Sequence, residues 1–289
     1  MKLTSISDVR TILSEWNIRP LKTLGQNFLV DANILRIILE AADLKASDEI
    51  LEIGTGLGVL TEALARSARR VVTVEKDPRL WPLLEERFES FSNVELMRAD
   101  MMKVDHEKLF RSGINKVAAN LPYSMGSAIL VNLIQSENPP EQMTVTLQKE
   151  VAERMTANPG CRNFGLMAIW SQSRYGVTIK KTISPTCFYP APGVRSAIIS
   201  LVRRRGEADE SAMSRRFFYA LTKFAFARRR KQMGRIFRNA RITTGETEYN
   251  IDARRAMEVF RSLKIDPGMR SEDLGVETWV RLAKEIMNR

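Results

Sequence analysis

Two rhythms of apolar residues alternate along the first two hundred positions. In "DANILRIILEAADL", Ile34, Leu35, Ile38 and Leu39 fall on one side of a helix, whereas "DEILEIGTG" is a short apolar run that ends in glycines, as a buried strand does. The alternation continues. "GVLTEALARSA" reads as a helix, "RVVTVEKD" as a β-branched strand, and "PRLWPLLEERFES" as a helix opened by proline. "VELMRAD" and "KVAANLPY" read as strands, "AILVNLIQS" as a helix, and "MTVTLQKEV" as a strand running into a helix. Strands separated by helices of this length predict a parallel sheet covered on both faces, an α/β fold of the Rossmann-like kind. "GVTIKKTI" and "SAIISLVRR" add two strands close together, expected as an antiparallel pair at one sheet edge.

The pattern changes after Arg205. "RRRGEADESA" is charged and has no apolar period, so it reads as a linker; beyond it the chain reads as helical. Two domains are therefore expected: residues 1–205 as the α/β domain, and residues 206–289 as a smaller all-helical one.

Composition narrows the chemistry. Hydrophobic residues make up 44% and charged residues 27%, and no run approaches the ~20 apolar residues of a membrane span. The opening "MKLTSISDVRTILSEW" has no apolar signal core, so a cytoplasmic location is expected. Two cysteines and one histidine, His106, are too few for a zinc site, a disulfide framework or a serine triad of ordinary kind. The net charge is +11, and it is concentrated: from Arg203 to Arg241 there are thirteen Lys/Arg against three Asp/Glu. Such a surface points to a polyanion, nucleic acid above all. Within Ser211 to Ala240, read as one or two helices, Arg228, Lys231, Arg235 and Arg238 follow helical spacing and are expected to form a basic stripe that tracks phosphates.

The glycine turn "LEIGTGLGVLTEAL" carries Gly54, Gly56 and Gly58 between a strand and a helix, where glycine lets a ligand approach the backbone. Its spacing is not the G-x-G-x-x-G of dinucleotide sites. The next strand ends in Glu75, placed to accept from both hydroxyls of a ribose; the third ends in Asp100, placed to accept from an adenine amino group. Three successive strand ends then make one nucleoside crevice at the carboxyl edge of the sheet, with nothing built for pyrophosphate. This favours S-adenosylmethionine as cofactor over a nicotinamide.

The fourth strand end is "NLPY". An exocyclic adenine amine is a poor nucleophile because its lone pair is delocalised into the ring. Acceptors for its hydrogens favour a pyramidal nitrogen, and the Asn120 side-chain oxygen with the Leu121 carbonyl would serve. Pro122 fixes the backbone direction, and Tyr123 offers a face on which a base out of its helix can stack.

At these residues the chain resembles the ribosomal RNA adenine N6,N6-dimethyltransferases, the small-subunit group in particular. The resemblance runs from "LGQNFLVD" through "EIGTGLGVLT", "VEKD", "RAD", "NLPY", "LQKEVAERM" and "FYPAPGVRSAIISL". It continues past the linker in "FARRRKQMGRIFRN" and "LKIDPGMRSEDLGVETW". It implies methylation of adenine N6 in small-subunit ribosomal RNA of an assembling particle, by a monomer. It further implies that Asn27 and Leu29 close over the cofactor, that Gly54 approaches its methionine part, and that Met101 lies against its adenine. Tyr123 and Phe188 would sandwich the target base. The related large-subunit methyltransferases, or an assembly factor with secondary catalysis, are the alternatives; the "IDPGMRSEDL" segment favours the small-subunit group. Two places depart from the family pattern: Ser124-Met125-Gly126 after the tyrosine, and Arg195 where an acidic residue is usual.

Overall fold

The computed structural model describes residues 3–204, 212–245 and 247–288. The strands, in chain order, are β1 (Phe28–Leu29), β2 (Glu49–Ile53), β3 (Arg70–Glu75), β4 (Val94–Arg98), β5 (Lys116–Asn120), β6 (Gln142–Gln148), β7 (Tyr175–Ile183), β8 (Phe188–Tyr189), β9 (Ser196–Arg203), β10 (Asn239–Thr244) and β11 (Thr247–Asp252). Seven of them form the main sheet, in the order β4-β3-β2-β5-β6-β9-β7. The pairs β4-β3, β3-β2, β2-β5 and β5-β6 are parallel, while β9 runs antiparallel to β6. The expected α/β sheet with a two-strand edge is therefore present.

The reason lies in burial. Central strands such as β2 and β3 are covered on both faces, with Ile50, Leu51, Val71 and Val72 fully buried, so their sequence is nearly continuously apolar. Helices Ala32–Ala42 and Val59–Ala65 cover one part of the sheet with Ile34, Ile38, Leu60 and Leu64. A second cluster joins Val9, Ile12 and Leu13 of helix Ile6–Glu15 to Leu80, Leu83 and Leu84. The chain walks outward from β2 through β3 to β4, then returns to β5 on the other side of β2. That reversal opens a crevice between β2 and β5 at their carboxyl ends.

The chain forms two compact units: Met1–Ala152 with Val177–Arg203, and Glu153–Gly176 with Arg204–Arg289. The second unit starts within two residues of the sequence-based boundary but also takes in an earlier segment. Phe164, Ala168 and Ile169 explain this, because they bury in the same core as Phe217, Leu221 and Phe260. The linker expected around residues 203–212 lies mostly outside the described residues.

The second unit is not all helical. It contains helices Ala212–Phe226, Ala253–Leu263 and Val276–Asn288, and also the hairpin β10–β11. In "NARITT" Ala240 and Ile242 are buried while Asn239, Arg241 and Thr243 are exposed, a period of two that the helical reading passed over. Gly245, at φ +60°, supplies the turn. Ala240, the last residue of the stretch read as helical, is therefore a strand residue, and it shares one core with Met233, Ile236 and Phe237.

Candidate active site

A cleft of about 210 Å³ opens at the carboxyl edge of β2, β3, β4 and β5, wholly within the first unit. It brings together Asn27, Gly54, Glu75, Asp100, Met101, Asn120, Leu121, Pro122 and Tyr123. Apart from Asn27, they stand where strands stop: Ile53 closes β2 before the glycine turn, Glu75 closes β3, Asp100 lies two residues past β4, and Asn120 closes β5.

Gly54 sits at φ +80°, a conformation that a side chain disfavours, and its N–H donates to the Val74 carbonyl at 2.9 Å. The turn thus presents bare backbone to the cleft. Beyond it, helix Val59–Ala65 carries Glu62 in its first turn, where a phosphate would meet a negative charge. Glu62 pairs with Arg87 at 2.5 Å.

Glu75 is buried, and its two oxygens are held from behind: Oε2 accepts from Gly56 N at 3.0 Å, and Oε1 from Asp77 N at 2.8 Å. Burial raises its pKa, and these N–H donors oppose the rise. Each oxygen keeps lone-pair capacity for a ribose hydroxyl. Asp100 accepts from Met102 N at 3.0 Å and pairs with Lys76 at 2.8 Å; the Lys76 bond leads in holding its carboxyl below the ordinary value. Met101 is buried at the cleft wall beside it.

The opposite wall comes from the "LGQNF" loop. Gly25, at φ +66°, packs so closely that a Cβ there would stand 2.8 Å from Ser124 N and 2.9 Å from Tyr123 N. Gln26 donates from Nε2 to Asp77 Oδ2 at 2.7 Å, and Asp77 is further gripped by Arg79. These contacts tie the loop to the strand end that carries Glu75. They also give the Ser124-Met125-Gly126 departure a place. Ser124 is the surface on which Gly25 rests, and Gly126 N donates to Pro122 O at 2.7 Å to start helix Gly126–Gln135.

Asn120 stands at the far end of the cleft. Its Nδ2 donates to the Asn27 carbonyl at 3.0 Å, which settles the orientation of the amide because a carbonyl can only accept. The Oδ1 that remains is buried and has no hydrogen-bond partner. Buried acceptors are nearly always satisfied, so this oxygen keeps its capacity to accept at the end of β5.

Leu29 and Phe188 are not on the cleft wall. They stand opposite each other where β1 pairs antiparallel with β8, so their side chains share one face and bury in a common core with Ile34, Ile183 and Ile198. Phe188 meets Tyr123 edge-on, with centroids 6.4 Å apart and planes at 73°. The two residues expected to sandwich the target base are thus neighbours, with Phe188 held in the core.

Arg228, Lys231, Arg235 and Arg238 are all exposed but do not form a helical stripe. Helix Ala212–Phe226 ends before Arg228, a short helix occupies Met233–Ile236, and Arg238 follows it. The cause is tertiary. Met233 N and Gly234 N donate to Met269 O (2.8 Å) and Pro267 O (2.9 Å), so a neighbouring segment takes donors that a continuous helix would use internally. Arg228 instead lies over the Phe224 ring, 4.1 Å from its centroid.

Sequence reasoning missed several residues. Gln26 and Lys76 line the cleft through partners tens of positions away, and no local signal announces such pairs. Glu52 was passed over as one position in an apolar strand. It is buried beneath the glycine turn, where its Oε2 accepts from Thr61 (2.5 Å) and Thr73 (2.7 Å), and Thr73 in turn meets Thr55 at 2.7 Å. Burial, aided by the charge of Glu75, pushes its pKa up to about 8, so it is a neutral acid at neutral pH.

An open α/β sheet with a glycine turn, carboxylates at the next two strand ends and an Asn-Leu-Pro-Tyr at the fourth defines a methyltransferase-type site. The model of the family described as "Ribosomal RNA adenine dimethylase" matches residues 19–288, and the chain belongs to that family. A ribosomal RNA small subunit methyltransferase A of Lysinibacillus sphaericus (strain C3-41) is 36% identical over 282 residues, covering 95% of this chain and 94% of that protein. Among solved structures, a dimethyladenosine transferase from Plasmodium falciparum is 26% identical. It aligns with a TM-score of 0.75 over 88% of this chain and 95% of its own. The 23S rRNA methyltransferase ErmE, 24% identical with a TM-score of 0.66 over 90% of this chain and 100% of that one, shares the fold.

Proposed function

We propose that this chain transfers methyl groups from S-adenosylmethionine to the exocyclic N6 of adenines in small-subunit ribosomal RNA, acting as a monomer on an assembling small subunit. The observation that carries this reading is the buried, partnerless Oδ1 of Asn120 beside Tyr123, at the end of β5. Membership of the dimethylase family and the small-subunit names of its relatives supply the substrate.

The cleft residues suit the cofactor. Glu75 would hold the ribose hydroxyls and Asp100 the adenine amino group, with Met101 against the ring and Gly54 backing the methionine part. When bound, the cofactor supplies an electrophilic methyl group. The chain's task is to prepare the amine. Asn120 Oδ1 and the Leu121 carbonyl accept its two hydrogens, which draws the nitrogen toward a pyramidal geometry with its lone pair directed away. Acceptors fixed in advance by the fold would leave little reorganisation to the moment of transfer. The Tyr123 hydroxyl is not the base: burial raises its pKa, so it stays protonated at neutral pH. Its ring is the stacking face. The exposed Arg228, Lys231, Arg235 and Arg238 of the second unit would contact RNA phosphates without reading sequence.

The test supplies labelled S-adenosylmethionine with immature small subunits in one arm and naked large-subunit RNA in the other, followed by digestion and nucleoside analysis. Dimethyladenosine is expected in the first arm. Label confined to the large-subunit arm, or no label in either, would overturn the proposal.

A further inference from the structure

We infer that Ser196 is a positioning residue for methyl transfer: its hydroxyl anchors the far end of Tyr123 and so holds the ring face on which the target adenine stacks. This rests on the reading of Tyr123 as the stacking residue.

Tyr123 lies three residues past the end of β5. Ser196, the first residue of β9, stands opposite Gln148 at the end of β6, the strand between β5 and β9. The two hydroxyls meet directly across this gap, although 73 positions separate them in the chain. Ser196 is fully buried, which takes the pair out of competition with water. Three contacts then restrain the tyrosine. Its backbone N is packed against Gly25, its flank meets the edge of Phe188, and its hydroxyl is tied to Ser196.

Stacking alone needs an aromatic face, and phenylalanine would provide one. The hydroxyl therefore has another use. A ring held only at Cβ can turn about two side-chain torsions, and each turn tilts the stacking plane away from the Asn120 acceptor. Tying the para position removes that freedom before RNA arrives, so the base meets a preset plane. Ser196 does not itself touch the reacting atoms in this arrangement.

A double-mutant cycle with immature small subunits as substrate tests the tether. Ser196→Ala and Tyr123→Phe break the same bond from opposite sides, so a fold that rejects one change is still probed by the other. Each single variant is expected to lose about three- to tenfold in kcat/KM for the particle while its affinity for S-adenosylmethionine, measured by calorimetry without RNA, stays within twofold. The double variant is expected to lose no more than the worse single. A purely structural role for Ser196 would lower cofactor affinity and melting temperature alongside activity. Losses that multiply in the double variant, or a Ser196→Ala enzyme with full kcat/KM, would overturn the tether while leaving the stacking reading intact. Full turnover in Tyr123→Ala would overturn the stacking reading itself, and the tether with it.

Discussion

At the end of the cleft assigned to the cofactor, the carboxylate oxygens already have donors; at the end assigned to the target base, one acceptor has none. Glu75 takes an N–H on each oxygen, and Asp100 takes Lys76 and Met102. Asn120 is held by one side of its amide only, and its oxygen is left buried and unpaired. The first arrangement is one of binding. Its groups are comfortable without ligand, and a ligand adds to them. The second arrangement is the one the proposed function assigns to the reacting amine. An acceptor of this kind can take an amine hydrogen without giving up an existing partner. On the proposed reading, one cleft thus uses partnered groups where uniform affinity suffices and an unpartnered one where the reacting atom is to be reshaped.

The contrast can be broken most sharply at Asn120. Asn120→Ala is expected to lower kcat about a hundredfold or more with cofactor affinity within twofold, as measured by single-turnover methylation and calorimetry. Turnover within threefold of the parent would show that the orphan oxygen has no catalytic role. The converse holds at the other end. Glu75→Ala is expected to weaken S-adenosylmethionine binding by about ten- to a hundredfold while kcat at saturating cofactor changes little. An equal loss in kcat would erase the distinction between the two ends.

Glu52 extends the comparison to the layer beneath the glycine turn, where a carboxyl is kept neutral. Its folded pKa of about 8 exceeds its ordinary value of 4.5, so between these limits the folded state binds a proton that the unfolded state does not. Stability attributable to this group is present below pH 4.5 and is lost as pH rises through about 8. Glu52→Gln keeps a neutral side chain of the same size. Its melting temperature is expected to gain on the parent by several degrees between pH 5 and pH 8, and a constant difference across that range would contradict the neutral acid. The smallest effect is expected far from the cleft. Replacing Arg235 and Arg238 together by alanine should weaken RNA affinity evenly across sequences. It should also lower the slope of log affinity against log salt by about one to two; an unchanged slope would remove these residues from the RNA surface.

The strands of the sheet and the strand ends Gly54, Glu75, Asp100 and Asn120 were legible because each is a local pattern: an apolar run that stops at a glycine, a carboxylate or an amide. The hairpin β10–β11 was legible in principle, from the alternation in "NARITT", but the basic run before it drew the reading toward helix. The stripe of Arg228, Lys231, Arg235 and Arg238 failed for a different reason. Helical spacing assumes that each N–H bonds within its own helix, and the segment at Pro267 and Met269 takes two of those donors. Phe188 was placed at the target base by resemblance alone. The two-residue ladder of β1 with β8 turns it into the core beside Leu29.

By itself, then, the sequence determined the alternation of strands and helices in the α/β sheet, the chemical type of group at each of its strand ends, and the concentration of positive charge in the last third of the chain. Periodicity and turn chemistry are short-range, and they survive in one dimension. Only the tertiary structure decided which oxygen of the site is satisfied and which is not. The Asn27 carbonyl reaches Asn120 across 93 positions, and Ser196 reaches Tyr123 across 73. The identity of a buried group's partner is set by the register of strands far apart in the chain, and that register exists only once the sheet has closed around its core.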